Sequence, residues 1–154
     1  MKPWKWKNTD GYSCTKDDKR STWWKSIYRF RLCPYVPLTL VDADGNEWQP
    51  DRYFFTDMGS IPRFPPILQG LVPKDRFLAF YLHDSAYCFG GLYCNGVFRK
   101  LTRKQADDIL FYGCRFDPIP GNLVVCSLIW QQVRLWGAGG WCKGDKRDGE
   151  TERD

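Results

Sequence analysis

His83 is the only histidine in the chain, and it stands inside the run Phe80-Tyr81-Leu82-His83-Asp84-Ser85-Ala86-Tyr87. Imidazole titrates near neutrality and can take a proton from water, so the chemistry it could support here is hydrolysis by a general base. Helical spacing puts Ala79, His83 and Tyr87 on one stripe, and an imidazole and a phenol then project together from a mainly apolar face. Asp84 falls about a hundred degrees round the helix from His83. From there it can face the same cavity rim and hold a cation or a second chain segment, but something else must orient the imidazole.

A second helical stretch offers the orienting group. Its apolar face comprises Ala106, Ile109, Leu110, Gly113 and Cys114; Asp107 shares the stripe of Leu110 and Cys114, whereas Asp108 lies with Tyr112 and Arg115. Asp107 is therefore the inward carboxylate. If the two helices pack antiparallel, a hydrogen bond from His83 to Asp107 would fix the tautomer and leave the other ring nitrogen for water. The same spacing also suits a satisfied buried polar pair that only sets how the helices dock, with Tyr87 as a core aromatic.

The loop Thr56-Asp57-Met58-Gly59-Ser60-Ile61-Pro62-Arg63 is the other dense polar group. Asp57 and Ser60 are suited to capping the turn through local backbone bonds. Alternatively, Asp57 supplies a metal ligand or Arg63 an anion contact beside His83.

These residues need elements to carry them. Residues 1–22 are polar apart from their tryptophans and read as an irregular arm ordered by packing its aromatics. From Trp23 to Phe55 β-formers dominate: Ile27 to Leu32 alternates, and Leu38-Thr39-Leu40-Val41 is joined to Glu47-Trp48-Gln49 through Asp44-Gly45, a hairpin signal. Prolines at 62, 65 and 66 make 56–72 loop-like. A helix is expected from Lys74 to about Cys88, stopping at Gly90-Gly91. Thr102 and Gln105 form a capping box for a second helix to about Arg115. Asn122 caps a third, apolar helix ending at Trp136-Gly137. The charged tail 143–154 is expected to be disordered. One α+β domain over 23–142 results: a small antiparallel hairpin or sheet, then three helices.

Composition narrows the function classes. A length of 154 residues suits one domain with a single core. Against 23 basic residues stand 18 acidic ones, for a net charge of +5. That charge is too mild and too interspersed for a specific nucleic-acid footprint. Aromatics reach 17%, with eight tryptophans, and Trp4-Lys5-Trp6-Lys7 suits a membrane interface or an acidic partner. No apolar run is long enough to span a membrane or serve as an export signal, which points to synthesis in the cytoplasm. Seven cysteines without a C-x-x-C pair indicate thiols used as small apolar groups rather than a zinc knuckle.

Taken in order, Thr56 to Arg63, Leu82 to Tyr87, Arg103-Lys104-Gln105-Ala106-Asp107, and Val133-Arg134-Leu135-Trp136-Gly137 with Trp141 resemble the signature of an uncharacterised domain family of tailed bacteriophages and prophages. The resemblance implies a viral or prophage origin, synthesis in the host cytoplasm, a place in the virion or beside it, and other phage structural proteins as partners. His83-Asp84-Ser85-Ala86-Tyr87 with Ala106-Asp107 is also similar to the helix pair of phospholipases A2 of the compact viral type. That resemblance implies His83 as the base, Asp107 as its orienter, Tyr87 as a supporting hydroxyl, Asp84 as a calcium ligand, and a phospholipid surface as substrate; Asp57 of the loop is the further metal ligand that the residues offer. The Y-G-x-G-type loop that completes the calcium shell in those enzymes does not precede His83.

Two function classes follow. The first is a calcium-dependent hydrolase of phospholipid esters. The second is a non-enzymatic tail or head component in which His83 and Asp107 only hold the helices together.

Overall fold

Short alternating segments broken by turns pair into sheets, and the apolar periodic segments that follow cover them. The computed structural model describes residues 2–23, 25–56, 78–118 and 122–141. Asp57, Ser60 and Arg63, the first expected turn of the 74–88 helix and the 143–154 tail lie outside those residues. The strands are β1 (Lys5–Lys7), β2 (Tyr12–Lys16), β3 (Tyr28–Leu32), β4 (Thr39–Val41), β5 (Glu47–Gln49), β6 (Tyr53–Thr56), β7 (Gly91–Cys94) and β8 (Val97–Lys100). The helices are α1 (Ala79–Phe89), α2 (Arg103–Arg115) and α3 (Leu123–Trp136), the last running into a 3-10 turn, Gly137–Gly140. The class is α+β, with antiparallel sheet dominating the N-terminal part and three helices the C-terminal half.

The expected hairpin is β4–β5, with Leu40 opposite Trp48 and Val41 opposite Glu47. Two expectations change. The first 22 residues are not an irregular arm: β1 pairs with β4, and β2 pairs with β3. Trp6 explains the difference. Its ring packs against all three apolar clusters, and its indole N–H donates to the Gly113 carbonyl at 3.0 Å. A tryptophan so placed anchors the strand through contacts that local composition does not announce. The second change is the hairpin β7–β8, inserted between α1 and α2. Asn95 and Gly96 form its two-residue turn with φ of 50° and 80°, the backbone a type I′ turn demands. The Asn-Gly pair was the available signal for it.

Five strands join in the order β1-β4-β5-β7-β8, and three in the order β2-β3-β6. Helix α1 contributes to all three clusters. Phe80 packs with Leu110, Cys114, Ile129 and Val133 of α2 and α3; Leu82 packs with Leu40 and Leu92 of the larger sheet; and Tyr81 packs with Phe30 and Phe54 of the smaller one. Each such side chain, fully buried, stabilises by about 1.5–3 kcal/mol. A helix buried on so many sides is a rigid mount for any polar group it carries.

The helix ends follow local chemistry. Thr102 and Gln105 make the reciprocal capping box, Asn122 Oδ1 accepts from Val124 N, and α1 stops at Gly90 in the left-handed conformation. The first described residue of the α1 region, Leu78, donates its N–H to Asp117 Oδ2 at 3.0 Å, just beyond the end of α2. Asp51 N donates to the buried Ser85 hydroxyl at 2.8 Å, which ties the start of β6 to the middle of α1.

Candidate functional site

Helices α1 and α2 run antiparallel, as the contacts show: Ala79 lies against Gly113, and His83 and Tyr87 lie against Asp107. A Cβ at position 113 would stand 2.7 Å from the Ala79 Cβ, so the glycine permits the close approach that puts the polar side chains within bonding distance. Asp107 is fully buried and bonded on both oxygens. Its Oδ1 lies 3.1 Å from His83 Nε2 and accepts from the Tyr87 hydroxyl at 2.6 Å, while its Oδ2 accepts from Arg134 Nη1 at 2.9 Å. Bonds to an ionised carboxylate are among the stronger hydrogen bonds in proteins.

The carboxylate can only accept, so the proton of a neutral His83 sits on Nε2 and Nδ1 carries the lone pair. Nδ1 is 3.8 Å from Asp84 Oδ1, and Asp84 Oδ2 accepts from the Thr56 hydroxyl at the end of β6. His83, 7% exposed, is not sealed in. Together with Asp84, Thr56 and Tyr87 it lines a cleft of about 480 Å³. Among the described residues, the remaining walls are mostly apolar, from Ile27, Phe55, Cys88, Val133 and Trp136, with the glycines of the 3-10 turn and Lys25 beside them.

The electrostatics follow from that packing. Burial works against a charge on His83, but the carboxylates of Asp107 and Asp84 outweigh it and raise its pKa above the ordinary imidazole value. Burial alone would raise Asp107; the bonds from His83, Tyr87 and Arg134 reverse this and hold it below the usual carboxylate range. Desolvation, then the Asp107 bond, push the Tyr87 phenol up. Tyr87 thus donates its proton in a hydrogen bond and keeps it.

The structure brings together His83, Asp107, Tyr87 and Asp84; Asp57 lies outside the described residues. Sequence reasoning gave no role to three further residues. Arg134 reaches Asp107 from the last turn of α3, and its signal was that it is the single charged residue of Leu123–Trp136. Arg103 donates from Nη1 to the carbonyls of Val133 and Arg134, at 3.1 Å each, and its charge opposes the rise in the Tyr87 pKa. Thr56, the third, is on the sequence only the first residue of the polar loop that begins there. Asp108, read as the outward carboxylate, bonds Lys104 and the Trp130 indole instead.

Calcium requires six to eight oxygen ligands. Among the described residues no group of three or more His, Cys, Asp or Glu is placed to hold a metal, and one oxygen of Asp84 is already engaged by Thr56. The described residues do not fit a calcium site. Among the described cysteines, Cys94, Cys114 and Cys126 are buried thiols. No described helix is long and apolar enough to cross a membrane.

Comparison of the chain with protein-family models, with curated proteins and with solved structures finds no significant match in any of the three.

Proposed function

We propose that this protein is a hydrolase of carboxylic esters in which His83 is the general base, within an accessory or virion-associated protein of bacteriophage type. One observation carries the enzymatic part: the orienting carboxylate is wholly buried while the imidazole it holds borders an open, largely apolar cleft. A pair serving packing alone has no need of the cleft.

In this reading His83 Nδ1 takes a proton from water as the water oxygen adds to the ester carbonyl. Asp107 stabilises the imidazolium that forms, as a buried carboxylate does in the serine hydrolases. Lys25 lines the same cleft. Collapse of the tetrahedral adduct breaks the ester C–O bond, and the imidazolium returns its proton to the departing alkoxide. The products are an acid and an alcohol. The apolar walls favour an acyl chain, and the phospholipase-like helix pair supports phospholipid as the source of the ester. The bacteriophage assignment rests on the four ordered motifs from Thr56 to Trp141.

The test is release of fatty acid from phospholipid vesicles and from short fluorogenic esters, with calcium and with a chelator, by the wild type and by His83→Gln. Turnover by the wild type that falls at least about a hundredfold in His83→Gln, within the range of general-base contributions, supports the reading. Equal rates in the two proteins, or none in either, overturn it.

A second reading has its own observation: every buried side-chain polar atom among the described residues is satisfied, and Asp107 accepts from three directions. That is how a polar pair that specifies helix docking behaves, and it suits a tail or head component. Under it, His83→Gln lowers stability and changes no chemistry.

A further inference from the structure

We propose that Arg134 is the positioning residue of the pair: it supplies the lasting countercharge to buried Asp107 and so keeps His83 as the Nε2–H tautomer, with Nδ1 available for the proton of water. The catalytic consequence rests on the hydrolase reading; the tautomer does not.

A general base must begin neutral. In that state His83 gives Asp107 a hydrogen bond but no charge, and the Tyr87 hydroxyl likewise gives a bond alone. Asp107 is 0% exposed, and a buried carboxylate without a cation is strongly disfavoured. Of its three donors, Arg134 is the one whose charge persists at every pH at which proteins fold. It also takes Oδ2 and leaves Oδ1 to His83 and Tyr87, which sets the rotation of the carboxylate toward the imidazole. Among the described residues, the other groups facing the ring do not do this. Asp84 on α1 adds negative charge, Thr56 on β6 is neutral, and Arg103 on α2 donates to the Val133 and Arg134 carbonyls rather than to the carboxylate.

Two features hold Arg134 in place. Arg103 grips the Val133 and Arg134 carbonyls, and a guanidinium in the last helical turn is favoured by the helix dipole. Without Arg134 the buried anion has two ways to be neutralised. Asp107 takes a proton and presents an O–H to Nε2, which moves the ring proton to Nδ1; or His83 keeps a second proton as imidazolium. Either way Nδ1 loses its lone pair as a base.

Because His83 is the only histidine, a sample labelled with nitrogen-15 in its imidazole gives a single pair of ring signals whose shifts report tautomer and charge. Spectra of the wild type, Arg134→Lys and Arg134→Gln are recorded at a pH where the wild-type ring is neutral, without substrate. Wild type and Arg134→Lys are expected to show the Nε2–H tautomer. Arg134→Gln is expected to show the Nδ1–H form or a retained imidazolium, and a kcat lower by about tenfold to a hundredfold with KM little changed, the scale of losing an orienting partner. Wild-type shifts in Arg134→Gln overturn the proposal. Should the Gln variant fail to fold, Arg134→Lys decides: wild-type shifts support the charge requirement, and a displaced tautomer overturns it. If no ester is turned over by the wild type, the hydrolase reading falls while the spectra still score the role of Arg134.

Discussion

The Tyr87 hydroxyl occupies the space beside Gly137 so closely that a Cβ at position 137 would lie 2.7 Å from its oxygen. The end of α3 thus approaches the phenol that bonds Asp107 only because residue 137 has no side chain. Gly137→Ala should push the phenol from Asp107 or the turn from the cleft, and cost about 1–3 kcal/mol as overpacking does. Denaturant unfolding checks this. Because the clash is with the hydroxyl, Gly137→Ala in a Tyr87→Phe background should cost clearly less than in the wild type; additive effects would contradict the contact.

Stability should fall from mildly acidic to alkaline pH, and His83 should be the cause. Its folded pKa is raised, so its contribution is complete below the unfolded value of about 6.5 and is lost as pH rises through the folded value. Asp107 has the opposite sign. Its folded pKa is lowered, so its contribution is present above about 3.9 and is lost as pH falls through the folded value. The network is strongest between those limits, while a neutral base forms only above them, so the acid limb of any ester turnover should lie above about 6.5. Urea midpoints at pH 5.5 and pH 9 for the wild type and His83→Gln test the stability half. The wild type should lose stability over that interval by more than the variant, and parallel losses would remove His83 as the cause.

The N-terminal strand should be essential to the fold. Trp6 touches all three apolar clusters and bonds the Gly113 carbonyl, in the helix that carries Asp107. Trp6→Ala should therefore cost about 3–5 kcal/mol, the usual range for removing a large aromatic from a core. Trp23→Ala, at a side chain almost entirely exposed, should cost far less. A small effect at Trp6, read by thermal or denaturant melting, would return residues 1–22 to the status of an arm.

What could be read from the residues alone was local. The capping box Thr102–Gln105, the cap at Asn122, the stop at Gly90 and the hairpin β4–β5 depend on hydrogen bonds and turn conformations closed within a few residues, and helical periodicity separated inward Asp107 from outward Asp108. Asn95-Gly96 was equally legible and marks β7–β8. The partners of those residues were not. Trp6 meets Gly113 across 107 positions, Thr56 meets Asp84 across 28, and Arg134 meets Asp107 across 27. Nothing within one turn or one strand sets such distances; they follow from how α1 is wedged between two sheets and two helices. Periodicity could place the imidazole and the carboxylate on facing stripes, but only the packed molecule decides that the carboxylate is sealed, that a guanidinium shares it, and that the imidazole borders a cleft, because burial and charge balance belong to the whole core and not to any segment.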